Sequence, residues 1–456
     1  MARSLKTASL CLLPFDLIHS VLYYQNPKHK GRLFTISDLG KRHMKKQARF
    51  ILAGAGLIAA LGSASVSADN VKIAFIDPLS GPFAPVGQNL LRSFQMTAEI
   101  ANKDKWTPGH TFEVVGFDNK ASPQESLTVL KSAIDQGFRY IVQGNGSGAA
   151  GALIDAINKH NERNPGKEIV FLNYAAVDPD LTNSKCSYWH FRTDANSDMK
   201  MEAMTSYLAK DPKVKKVYII GQNYAHGQQV TRAAKEYLKR RRPDIEIVGD
   251  DLHPIGSVKD FSPYVAKINA SGADTVITGN WGSDLALLIK AARESDLKAK
   301  FYTYYAYTTG VPTSMGATGI DHVKYVGTWN VNNEGLQGKE LITAFKKKYN
   351  DDYYAVTVYT AIQLLSNGIK QANSTDPVKV APAMEGQRFK TLNGEVEMRK
   401  ADHQMQQPMY VATWVKTNGK DVKFDQENTG YGWKTEQRIE PYVAAQPTTC
   451  NMKRPS

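Results

Sequence analysis

From Val71 onward, short apolar runs rich in β-branched residues alternate with segments whose apolar residues recur at helical spacing. The runs Val71–Ile76, Phe112–Phe117, Tyr140–Gln143, Ile169–Leu172, Val217–Ile220, Ile245–Val248, Thr275–Thr278, Lys300–Thr303 and Tyr325–Thr328 read as buried strands. Gly87–Asn102, Pro123–Gln136, Gly151–His160, Asp198–Lys210, Gln228–Arg241, Tyr264–Ala270 and Gly282–Ser295 read as helices between them. This alternation predicts an α/β fold of parallel sheets. So many parallel strands fit two sheets better than one, because open sheets tend to divide. After Val331 the rhythm changes: Leu336–Tyr349 and Tyr354–Ala372 predict two consecutive helices, and Pro377–Gly394 is turn-rich. Strand-like pieces follow at Glu395–Met398, Met409–Val415 and Val422–Phe424. Helices with no strand between them cover a sheet already made, so the chain is expected to return to the first lobe and later to the second.

Ligands of open parallel sheets bind beyond the carboxyl ends of the strands. Those ends carry Asp77-Pro-Leu-Ser-Gly-Pro-Phe, Asp118-Asn, Gly144-Asn-Gly-Ser-Gly, Asn173-Tyr-Ala-Ala, Gln222-Asn-Tyr-Ala-His, Gly279-Asn-Trp-Gly and Tyr304-Tyr-Ala-Tyr. Amides, hydroxyls and rings recur there with few charges, which suits a small organic molecule. The stretch Tyr140–His160 is the most pointed of them. A strand, a turn holding Gly144, Gly146, Gly148 and Gly151, and a helix follow one another. The unpaired amides and positive dipole of such a helix start attract an anion to Ser147 and its neighbours.

Gly146–Gly151 also matches the dinucleotide fingerprint G-x-G-x-x-G. The ribose-binding acid is missing, however, because the next strand ends in Asn173-Tyr174. Two strand candidates also precede the turn, where the fingerprint normally follows the first. No dinucleotide or other cofactor is expected.

Met44-Lys-Lys-Gln-Ala-Arg49, an apolar stretch from Phe50 to Leu61 and small residues at Val66 and Ala68 describe a secretory signal over 44–68, cleaved after Ala68. Residues 1–43 are read as lying upstream of the true start. Residues 1–68 hold 10 of the 57 Lys/Arg and 2 of the 44 Asp/Glu, so the mature chain carries a net charge of about +5 rather than +13. The basic runs Lys239–Arg242 and Lys346–Lys348 close helix-like segments, where cations offset the dipole. They read as solvated faces, and no nucleic-acid partner is expected. Cys186 and Cys450 remain after export to an oxidising compartment, where pairing is favoured. Nothing resembles a metal site.

Catalysis is poorly supported. Ser147 lies outside the G-x-S-x-G elbow. His226 could act as a base but reads as a satisfied loop histidine.

With these features in place, the chain resembles type I periplasmic solute-binding proteins, in particular the branched-chain amino acid (Leu/Ile/Val) receptors of ABC importers. Pro78–Gly87, Gly116-Phe-Asp-Asn119 with Ser122-Pro-Gln-Glu125, Gly221–Gln228, Lys259–Val276 and Gly279–Asp284 carry the resemblance, which spans Asp69 to about Val415. It implies two Rossmann-like lobes, residues 69–192 with 328–390 and 193–327 with 391–446, followed by a tail at 447–456. The hinge crossovers would fall at Arg192–Asp194, Gly327–Asn330 and Thr391–Gly394. It further implies that Ser147 with the backbone of Ala175 and Ala176 holds a ligand carboxylate, that Tyr224 closes from the opposite lobe, and that Trp281 adds an aromatic contact. The expected ligand set is completed by Asn145, Gly146, Asn173, Tyr174, Asn280, Tyr305 and Tyr307. The family places an acid for the ligand ammonium after the strand matching Lys300–Thr303, where this chain has Tyr304–Tyr307. A carboxylate or amide solute is therefore expected, with a branched-chain amino acid still open. The implied setting is the periplasm, as a monomer docking on an inner-membrane permease. A ligand sensor and a secreted amidase or esterase are the alternatives.

Overall fold

A computed structural model describes residues 69–455. The signal over 44–68 and the upstream residues lie outside the described residues. The first sheet is built from β1 (Asp69–Asp77), β2 (His110–Asp118), β3 (Tyr140–Gln143), β4 (Val170–Asn173) and β5 (His190–Arg192). All pairs are parallel, in the order β2-β1-β3-β4-β5. β5 was not expected: its three residues hold a single apolar one, Phe191, between His190 and Arg192, too short a run to read.

The second sheet repeats this plan. β6 (Lys216–Gln222), β7 (Glu246–His253), β8 (Thr275–Thr278), β9 (Lys300–Thr303) and β10 (Val323–Gly327) are parallel in the order β7-β6-β8-β9-β10. A small third sheet comprises β11 (Arg388–Thr391), β12 (Gly394–Met398) and β13 (Met405–Gln406). β14 (Met409–Lys416) and β15 (Tyr431–Ile439) then extend the second sheet antiparallel beyond β10.

Local signals account for the helices around the first sheet. Ser122 caps the helix Pro123–Asp135, its hydroxyl accepting from the Glu125 amide at 3.3 Å, as the S-x-x-E pattern predicts. The helix Val356–Ala372 buries Val358, Ala361, Ile362, Leu365 and Ile369 in the core of the first sheet, together with Phe75, Phe94 and Phe171. The second core gathers Met199, Met204, Ile219, Val276, Leu285, Val411 and Trp414.

Three expectations need correction. The turn-rich stretch contains a helix, Pro377–Met384, capped by Asp376 and anchored through Val380, Ala381 and Met384. Val422–Phe424 is loop, and the strand in that region is β15, whose charged outer face hid its alternation. Val396, Met398 and Met405 lie in the first core, so the chain leaves that core after Met405 and not at Thr391–Gly394. There it runs beside the first passage: Gln404 bridges Arg192, and Gln407 Nε2 donates to Thr193 O at 2.6 Å.

Candidate functional site

In a parallel sheet of order 2-1-3-4-5, the crevice opens where the strand order reverses. That point is β1/β3 in the first sheet and β6/β8 in the second. The two sets of strand ends line one cleft enclosing roughly 660 Å³, open mouth included, within the range of small-molecule sites.

On the first side, Gly146 (φ +101°) ends the turn in a conformation that favours glycine, and Ser147 begins the helix Ser147–Arg163. The turn is held from below by Asp77, whose carboxylate accepts from the Gly144 amide at 3.0 Å, the Asn145 amide at 2.8 Å and the Tyr174 hydroxyl. Burial nevertheless pushes its pKa up to about 7. With those amides engaged below, the first amides of the helix remain for a ligand. Ser147 Oγ also accepts from the Asp178 amide at 3.2 Å.

Asn145, Gly146, Ser147, Tyr174, Ala175 and Ala176 all line the cleft, whereas Asn173 does not. Asn173 Oδ1 accepts from the amides of Ala176 and Ala175, at 2.8 and 3.2 Å. Those two amides are thus already satisfied by a buried side chain, contrary to the role expected of them. Asn173 shapes the loop from behind.

On the second side, Tyr224 follows β6 and Trp281 follows β8. Trp281 Nε1 donates to the Tyr224 hydroxyl at 2.9 Å, so the two close the wall as a unit. Tyr305 and Tyr307 line the cleft beside them; Asn280 does not, being buried with its Nδ2 2.8 Å from His253 Nε2. His226 reaches the cleft, but its ring nitrogens lie 3.2 Å from Ser197 Oγ and 3.0 Å from Gly279 O. Burial lowers its pKa to about 4, so it stays neutral at ordinary pH. A neutral imidazole with both nitrogens engaged is poorly placed to serve Ser147 as a base.

Several lining residues carried no legible signal. Thr328 and Trp329 sit in the second passage between cores, and Tyr354 lies just before, and Thr357 in the first turn of, a helix that returns from far along the chain. Asp194 lies in the first passage and is the only carboxylate among the described lining residues.

Phe83 was also unassigned. It stands in the loop after β1, yet it packs in the second core, its ring 4.2 Å from that of Trp281. The pocket for this ring is made by Gly256 (φ +64°) and Gly282 (φ +59°), where a Cβ would come within 2.9 and 2.8 Å of Phe83. Phe83 thereby ties the two sides together across the cleft.

The predicted disulfide is present: Cys186 and Cys450 are bonded, with Cα atoms 5.7 Å apart. Among the described residues no cluster of His, Cys, Asp or Glu could hold a metal, and no helix is long and apolar enough to cross a membrane.

Comparison with known proteins places this geometry. A family model described as periplasmic binding protein matches residues 70–420. The chain is 33% identical over 412 residues to Leu/Ile/Val-binding protein homolog 4 of Brucella abortus (strain 2308), covering 86% of this chain and 95% of that protein. It is similar to the closed crystal structure of a leucine-, isoleucine-, valine-, threonine- and alanine-binding protein from Brucella ovis, with TM-score 0.74, 31% identity and coverage of 85% and 100%. A solute-binding protein of an ABC transporter from R. palustris, solved with 4-hydroxybenzoate, shares the fold at TM-score 0.69 and 22% identity, with coverage of 82% and 97%.

Proposed function

The chain belongs to the periplasmic binding protein family, and from that premise we propose that its cleft captures a small organic acid or amide and delivers it to an ABC permease. Its role is that of a substrate-binding component, as in the relatives named above. The observation that carries the ligand reading is the meeting of two unlike walls: the start of a helix at Ser147 on one side, and Tyr224, Trp281, Tyr305 and Tyr307 on the other. The Ser147 turn takes the carboxylate or amide oxygen, with the dipole and free amides of its helix. The rings enclose the body of the solute and exclude water.

Binding proceeds by hinge closure. The lobes are residues 69–192 with the helices after Thr328, and the second sheet with its helices. The chain passes between them at Arg192–Asp194, Gly327–Asn330 and after Met405. The protein works in the periplasm as a monomer, exported by the signal ending at Ala68, and has no nucleic-acid partner. The relatives' names point to branched-chain amino acids and the R. palustris complex to an aromatic acid; both skeletons suit the apolar faces of Val86, Leu90 and the tyrosines.

A thermal-shift screen against amino acids, aliphatic and aromatic carboxylates, amides and urea tests this. A ligand at about a hundred times its Kd adds roughly 2.7 kcal/mol of stability. The shift should vanish in Tyr224→Ala and Trp281→Ala. Hydrolysis of an ester or amide, lost in Ser147→Ala, would instead refute the binding role.

A further inference from the structure

We propose that the cleft selects acids that carry no ammonium group, because Lys200 already occupies Asp194, the only carboxylate among the described residues of its wall. This rests on the reading that the Ser147 turn takes the ligand carboxylate. Asp194 Oδ2 accepts from Lys200 Nζ at 2.8 Å and Oδ1 from the Ala195 amide at 2.8 Å. The Lys200 side chain is 0% exposed and that of Asp194 4%. The lysine ammonium also stands over the faces of Tyr305, at 4.7 Å to the ring centre, and Tyr304, at 5.9 Å. The tyrosines that replace the family's expected acid therefore already cradle a cation, and that cation belongs to the protein.

The placement of that pair then sets the ligand class. Lys200 and Asp194 sum to zero, and the neighbouring His226 is neutral. An amino acid is neutral overall, but with its carboxylate on the Ser147 turn its ammonium would meet a carboxylate whose oxygens are already engaged by Lys200 and the Ala195 amide. That ammonium would lose its water without gaining a carboxylate acceptor. An oxo, hydroxyl or hydrogen substituent in its place leaves the pair intact. The cleft thus rejects the amino acid through an ammonium stripped of water with no free carboxylate to accept from it, not through shape.

Matched pairs isolate this one group. Isothermal titration of the protein compares leucine with the oxo acid of the same carbon skeleton, and phenylalanine with phenylpyruvate. In at least one pair the oxo acid should bind tighter by at least about tenfold, one decade of affinity. Lys200→Met frees Asp194 and should shift that ratio toward the amino acid by about tenfold or more. The double variant Asp194→Asn with Lys200→Met removes both charges and should show no such gain. If Lys200→Met does not fold, the wild-type ratios decide alone. If in both pairs the amino acid binds as tightly as its oxo acid, the proposal is overturned and the cleft reading stands. Silence toward all four, with folding intact, overturns both.

Discussion

Phe83→Ala should weaken ligand binding without weakening the fold of the ligand-free protein. The ring is 4% exposed, in a pocket shaped by Gly256 and Gly282 and against Trp281. Burying a phenylalanine is worth about 1.5–3 kcal/mol, and an aromatic pair adds roughly 0.5–1.5. Phe83 belongs by chain position to the loop after β1, whereas its pocket belongs to the second core. Under the proposed hinge closure its burial exists only while the cleft is shut, and the variant should penalise the closed form by about 2–4 kcal/mol. Where binding is coupled to closure, Kd should rise roughly 30- to 900-fold. Calorimetry with the acid giving the largest thermal shift measures that change, and thermal unfolding without ligand supplies the control. The ligand-free Tm should stay within about 2 °C of wild type, since an open form leaves the ring in water in any case. A Kd within about twofold of wild type, or a ligand-free Tm lowered as far as for a core truncation, would refute the reasoning.

Two further outcomes follow from named contacts. Cys450→Ser opens a link between residues 264 apart, and should cost roughly 2–5 kcal/mol by releasing the unfolded chain. The same fall in unfolding midpoint should appear when the wild type is treated with dithiothreitol, and the variant should be indifferent to it. Asp77→Asn should change the pH dependence of stability. The native carboxyl keeps its proton up to about pH 7, whereas its ordinary value is 3.8. The native state thus binds the extra proton between those values, and wild-type stability falls as pH rises through the window, by on the order of 4 kcal/mol. Asparagine removes this slope, so urea unfolding should show the variant gaining on wild type from pH 4 to pH 8. Parallel profiles would exclude the assignment.

The alternation of strands and helices, the turn at Gly144–Ser147 and the aromatic strand ends were legible because each is written within a few neighbouring residues. Burial of one face imposes a period, and a helix start needs free amides and a glycine where φ is positive. With one topological rule, that places Ser147, Tyr224 and Trp281 at strand ends before any contact is known. What the sequence could not determine depends on partners distant along the chain. Asn173 looked like a ligand contact until the loop folded back and satisfied the amides of Ala175 and Ala176 with it. The hairpin of β11 and β12 could join either lobe by its pattern, and only packing of Val396, Met398 and Met405 assigned it to the first core. Lys200 was one unassigned residue of the predicted helix Asp198–Lys210, and Phe83 one of the loop after the first strand. Tertiary structure alone brought one against Asp194 and the other against Trp281. Local periodicity reports which faces are buried. It does not report which buried groups neutralise one another, as Lys200 and Asp194 do beside this cleft.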